Sequence, residues 1–200
     1  TWLASPEDTI ETVLDKINNL FARIYRCILS FEEARRPINE DDAQRYHFII
    51  YWPTKWVREA KSKKLINVFA REKASTKYME ILRDKFTEIF RENKENFVQE
   101  TLKYVEDLDK AFFALRELIQ YSIEDETKRL LDKIFHLGRL GNLYPLLITC
   151  WIKLKDKKDL LNEILQIIEK LIFRVYVVSR VRPYAGRNIL YDLAYNFYSE

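Results

Sequence analysis

Glycine is nearly missing from this sequence: there are 3 in 200 residues, alongside 5 prolines. A β-sandwich or a nucleotide-binding α/β fold needs far more turn residues, so both are excluded. The same shortage leaves nothing from which to build a glycine-rich phosphate loop. Cysteine is as scarce. Cys27 and Cys150 stand alone, which reads as two reduced, buried thiols of an intracellular protein. His47 and His136 are far apart, and neither has a further His, Cys or carboxylate at ligand spacing. The histidines and cysteines therefore give metal ligation weak support, and neither thiol has a histidine base beside it. No cofactor is expected.

Long apolar runs are lacking too. The most apolar stretch, Leu160 to Val178, is interrupted by Glu163, Glu169, Lys170 and Arg174, which suits a membrane span poorly. There is no signal peptide, and a cytoplasmic protein without membrane contact is expected. The chain opens on Thr1 instead of Met, which reads as a fragment of something longer. Excess charge of one sign is also absent. With 34 basic and 31 acidic residues the net charge is +3, a balance that neither demands nor excludes nucleic acid.

What the sequence has is helical periodicity on a substantial apolar content, 48% hydrophobic and 14% aromatic, enough for a sizeable core. Ser5-Pro6-Glu7-Asp8 reads as a helix start. From there Ile10, Val13, Leu14, Ile17, Leu20, Phe21, Ile24 and Ile28 recur at three- and four-residue steps, opposite Glu11, Asp15, Asn18 and Arg26. This helix should run to Pro37, about 30 residues or roughly 45 Å. A second should be capped by Asp41 or Asp42 and broken at Pro53, and a third capped by Ser75. A fourth, about Glu95 to Gln120, carries Val98, Leu102, Val105, Leu108, Phe112, Leu115 and Ile119 at near-heptad spacing, as a core-facing stripe or a coiled-coil seam.

Further helices cover Glu124 to His136, Leu146 to Leu154 and the span from an Asp159 cap to Ile172, with a last one over Arg187 to Tyr198. The Leu160–Ile172 helix is apolar around most of its circumference, which places it at the centre of the bundle. Val175 to Val178 is rich enough in β-branched residues to allow a short extended piece. The fold class is all-α, a bundle of about seven to nine helices. Lys55 to Lys73, rich in lysine and weak in periodicity, is the boundary between two helical subdomains, a long-helix hairpin over 1–60 and a bundle over 61–200.

Three groups of residues are candidates for chemistry. The acidic runs Glu40-Asp41-Asp42 and Glu124-Asp125-Glu126 sit where helices begin, where capping accounts for them, with magnesium as the alternative. Arg129 and His136 lie on one predicted helix at a spacing that loosely resembles the Arg-to-His motif of the all-helical HEPN ribonucleases. That likeness implies a small ribonuclease in which Arg129 and His136 act on the 2′-hydroxyl and the scissile phosphate. The usual polar residue after the Arg is here Leu130. Third, Arg174, Arg180, Arg182 and Arg187 lie within fourteen residues that contain no acid, interleaved with Tyr176 and Tyr184. Guanidinium forks suit phosphate oxygens and tyrosine can stack on a base, so these four are the candidate DNA-contacting residues. The competing reading pairs them with acids elsewhere in the bundle.

A longer pattern runs through Leu143-Tyr144-Pro145-Leu146-Leu147-Ile148, a charged turn, Ile168-Glu169 to Phe173-Arg174, Gly186-Arg187-Asn188 and Leu193-Ala194. It resembles the helical region of GmrSD-type restriction proteins, over about residues 45–198. In that family a ParB-like nucleotidase domain precedes the helical segment and an HNH nuclease often comes after it. The family's Asp-Gly-Gln-Gln-Arg motif has only Asp41-Asp42-Ala43-Gln44-Arg45 to answer it, and the HNH signature is missing. The resemblance therefore implies a non-catalytic helical scaffold or linker of a phage-defence protein, without either catalytic domain. Its partners would be DNA, the remaining domains of the parent protein, or a second copy in a homo-oligomer. A purely structural helical interaction protein, whose long first helix pairs with a partner, is the remaining reading.

Overall fold

The computed structural model describes residues 10–32, 38–52, 56–58, 65–67, 75–92, 94–138, 140–182 and 185–200. Eight α-helices lie within them: α1 (Ile10–Glu32), α2 (Glu40–Tyr51), α3 (Tyr78–Glu92), α4 (Lys94–Ile119), α5 (Glu126–Leu137), α6 (Tyr144–Leu154), α7 (Lys158–Leu171) and α8 (Arg187–Ser199). Helix α7 continues directly into a π-helical segment, Ile172–Val178. The bundle is all-α apart from one two-stranded ribbon, β1 (Trp56–Arg58) antiparallel to β2 (Leu65–Asn67), with Val57 opposite Ile66. The ribbon falls in the lysine-rich stretch read as a subdomain boundary. The Ser5–Asp8 helix start, Pro37, Pro53 and the side chains of residues 55–73 lie outside the described residues.

Local chemistry sets the helix ends. The cap of α2 is Asn39, whose side chain accepts from the Asp42 amide at 2.7 Å, so Asp41 and Asp42 fall in the first turn instead of capping. There they complement the positive end of the helix dipole. Asp125 caps α5, accepting from the Lys128 amide at 3.0 Å. Pro145 enters the first turn of α6, where its missing N–H costs nothing. Helix α7 begins without a side-chain cap, and Asp159 sits in its first turn. Ser75 lies three residues ahead of the first helical residue of α3 and is buried.

Helix α4 is the spine. Its predicted stripe turns inward, with Val105, Leu108, Phe112 and Leu115 buried, and α1, α2, α3 and α6 all pack on it. The stripe is thus an ordinary core face shared by several helices. Helix α6 sits between α2, α4, α7 and α8, and every side chain from Tyr144 to Trp151 is buried. This corrects the expectation that α7 is central. Leu160 and Ile167 of α7 are 44% and 64% exposed, because Asp159, Glu163, Gln166 and Lys170 hold that side of the helix in water. The buried cluster joins Ile24 and Phe48 to Leu115, Leu147 and Leu190, side chains on both sides of residue 60.

Polar contacts fix the register of this core. Thr127 Oγ1 donates to Asn162 Oδ1 at 2.8 Å, tying α5 to α7. Glu117 of α4 accepts from Trp151 Nε1 at 3.1 Å and from Lys155 Nζ at 3.0 Å, both from the α6 end. The Tyr78 hydroxyl donates to Asp41, joining the starts of α3 and α2. Both thiols are buried, and desolvation pushes Cys150 up to about 12. A thiol so protonated is a poor nucleophile or metal ligand.

Candidate functional site

The four candidate arginines lie in and after the most irregular part of the helical path. At the end of α7 the backbone widens, and the Ser179 amide donates to the Arg174 carbonyl at 3.0 Å, five residues back. The Val181 amide reaches the Val175 carbonyl at 3.2 Å. The sequence allowed an extended piece over Val175 to Val178, and the structure is helical there instead. Val175, Val177 and Val178 lie in a π-helical segment that keeps its backbone hydrogen bonds, with no extended piece. Arg180 then takes a left-handed conformation, φ 49°, which a side chain resists.

Arg174, Arg180 and Arg182 are exposed and Arg187 is half-buried at the first turn of α8. That helix begins after Gly186, φ 74°, with no side-chain cap and no acid in its first turn. Its first-turn amides and the positive end of its dipole therefore add to the arginine charge instead of cancelling it. Tyr176 does not serve as a stacking platform. It is buried, and its hydroxyl donates to the Ala185 carbonyl at 2.8 Å, pinning the turn between the π segment and α8. Tyr184 lies outside the described residues.

Arg129 and His136 both lie on α5, seven residues or two turns apart on one face, about 10 Å along the axis. Both are exposed, and Arg129 is paired with Glu126 at 2.8 Å. They sit on open surface, and neither is held against the other.

A third constellation is one that sequence reading missed. His47 of α2 is wholly buried, and its Nε2 lies 3.0 Å from Asp107 Oδ1 of α4, so Nε2–H donates to the carboxylate. The Tyr198 hydroxyl of α8 donates to the other oxygen, Asp107 Oδ2, at 2.5 Å. Burial, and then the Asp107 charge, push the Tyr198 phenol well above its ordinary value. Tyr51 stacks on the imidazole at 5.2 Å and Tyr104 meets it edge-on at 5.2 Å. His–Asp–Tyr is a set that could move protons, but the ring is covered on its faces and has no opening for a substrate. It therefore acts as a polar clasp between α2, α4 and α8. Sixty residues separate His47 from Asp107, and no short-range spacing could have signalled the pairing.

Among the described residues no group of three His, Cys, Asp or Glu side chains is placed to hold a metal ion, and no helix is long and apolar enough to cross a membrane. A depression of about 320 Å³ beside α3 is lined by Asp84, Thr87, Glu88, Arg91 and Glu92. All five are exposed surface residues on one helix, unlike the apolar, enclosed lining of a small-molecule site. Compared with known proteins, the chain matches no family model, no curated protein and no solved structure.

Proposed function

We propose that this chain is a non-catalytic helical scaffold module that engages the phosphate backbone of DNA through Arg174, Arg180, Arg182 and Arg187. The observation that carries this reading is the placement of the arginines. Arg174 lies in the π segment, Arg180 and Arg182 follow it and Arg187 opens α8, a run of sequence without an acid in which three of the four are exposed and the helix start carries no acid in its first turn. π turns and left-handed non-glycine residues are costly and concentrate at working sites. Guanidinium forks and the amides of a helix start are both ready ligands for phosphate oxygens. The Tyr144-Pro145 helix start and the Phe173-Arg174 helix end support the further proposal that the module belongs to a cytoplasmic, GmrSD-like restriction protein.

Labelled duplex DNA, plain and base-modified, titrated across a salt series tests the contact. Affinity should fall steeply with salt, and the slope should shrink by about one for each arginine changed to Ala. No binding at low salt, or a quadruple alanine variant that binds like the parent, would end the DNA reading. The reading frame that encodes the chain tests the restriction proposal: an upstream region without a ParB-like α/β domain rules it out.

A further inference from the structure

Among the described residues, helix α1 packs on the bundle through the side that faces α4. Val13, Ile17, Ile24, Cys27 and Phe31 are buried against α4, with Phe31 and Phe112 ring centroids 5.8 Å apart. One flank of this stripe is polar and engaged. There Arg23 pairs with Asp109 of α4 at 3.0 Å, and the Ser30 carbonyl accepts from Gln120 Nε2 at 3.3 Å. The other flank carries Leu14, Phe21, Tyr25 and Leu29, which are 49%, 48%, 60% and 49% exposed. At about 100° per residue, spacings of seven, four and four put these four on one face over about four turns. Leu14 and Phe21 belong to the stripe that periodicity turned inward. The apolar arc of α1 is wider than α4 can cover.

Scattered apolar residues on a surface need no explanation, but a continuous stripe on one helix does. The charges beside it indicate what covers it. Glu11 and Asp15 border the stripe toward the N-terminal end of α1, and Arg26 borders it toward the C-terminal end, all exposed. The stripe is centred beside Phe21, and Asp15 and Arg26 are nearly equidistant from that centre. A surface with acid at one end, base at the other and, between them, apolar residues interrupted by the exposed Asn18 is complementary to itself when reversed. We infer that α1 pairs with α1 of a second copy of this chain, antiparallel about a two-fold axis near Phe21. Leu14 of each copy then meets Leu29 of the other, the two Phe21 rings meet at the axis, and Asp15 faces Arg26 across both ends. A parallel arrangement would set acid against acid and base against base. The inference deepens the scaffold reading and makes no use of the phosphate contacts.

Sedimentation velocity of the full chain from about 1 to about 100 µM tests it. The parent should pass from monomer to dimer over this range. Phe21→Glu should raise the dissociation constant at least about a hundredfold, by burying a charge at the axis. Two milder variants test the orientation: Glu11→Lys with Asp15→Lys in one chain, and Arg26→Glu in another. Each alone repels itself and should weaken dimerisation about tenfold, whereas a mixture of the two should form a heterodimer close to the parent in affinity. All substitutions are on exposed helical positions, and unchanged far-ultraviolet circular dichroism confirms folding. A parent chain that stays monomeric overturns the inference. So do charge variants that dimerise like the parent, or a mixture that fails to recover. A dimer that persists in the quadruple arginine variant upholds this pairing even if DNA binding fails.

Discussion

Helices α6 and α7 are neighbours in the chain, and both are rich in leucine and isoleucine, yet they occupy opposite stations. Helix α6, Tyr144-Pro-Leu-Leu-Ile-Thr-Cys-Trp-Ile-Lys-Leu154, is buried from Tyr144 to Trp151 with four helices around it. Helix α7 buries Leu161, Leu165 and Ile168 and leaves Ile167 in solvent. Apolar residues are denser in α6, eight of 11 against seven of 14 in α7. They differ also in whether any face carries charge in successive turns. Helix α6 has a single charged residue, Lys153, near its end, whereas α7 has Asp159, Glu163 and Lys170 along its outer side. One charged edge is enough to hold a helix at the surface, since burying unpaired ions costs several kcal/mol each.

The comparison can be broken most directly by single substitutions on the two helices. Leu147→Ala, in the fully buried part of α6, should cost about 3 kcal/mol in urea unfolding, from lost transfer energy and the cavity left behind. Asn162→Ala on α7 should cost about 1 kcal/mol, because the buried Thr127 hydroxyl loses its acceptor. A loss as large as that of Leu147→Ala would make α7 as central as α6. Arg180→Gly should raise stability by about 0.5 kcal/mol, since glycine accepts the left-handed backbone at φ 49° freely. The same change should weaken DNA binding, so that stability and affinity move in opposite directions. Ile167→Ala should shift stability by less than about 0.5 kcal/mol, as expected where little is buried.

The smallest effect concerns how α7 is moored at its start. Lys158 Nζ donates to Asp125 Oδ2 at 2.8 Å and the Tyr121 hydroxyl donates to the same oxygen at 2.7 Å. The Lys158 bond, followed by the Tyr121 bond, holds the Asp125 carboxyl down at about 2. Because the folded value lies below the unfolded one, the contribution is complete above about pH 4 and is lost as pH falls toward 2. Asp125→Asn keeps a good helix cap and removes the ionisation. Its stability should therefore vary less between pH 4 and pH 2 than the parent's, as read by thermal melts. Equal slopes would mean the mooring contributes nothing.

Periodicity and punctuation made most of the helices legible. The α4 stripe from Val98 to Ile119, the Pro145 start of α6 and the Arg187 start of α8 all lie where residue spacing puts them. Burial was harder to read, because it depends on what each face meets. Leu14 and Phe21 fit an inward pattern but face solvent, since α4 covers only part of the arc. The β1–β2 ribbon has three-residue strands, too short to show an alternation. At the candidate site the arginines were visible as an acid-free run, but the π turn was not. It depends on hydrogen bonds reaching five residues back, which no composition rule encodes. The role of Tyr176 was hidden for the same reason, because its partner is a main-chain carbonyl.

The π segment also makes the arginine turn sensitive to deletion in a way that substitution does not probe. Each five-back hydrogen bond holds one residue more per turn than the α pattern, so the chain beyond Val178 emerges out of phase with α7. Removing one residue from Val175 to Val178 would let the helix close into ordinary α turns and swing the downstream chain by about 100°. All three arginines after the segment would keep their chemistry and change the direction in which they point. The extra residue thus works as an angular spacer, setting the heading of the chain that follows α7.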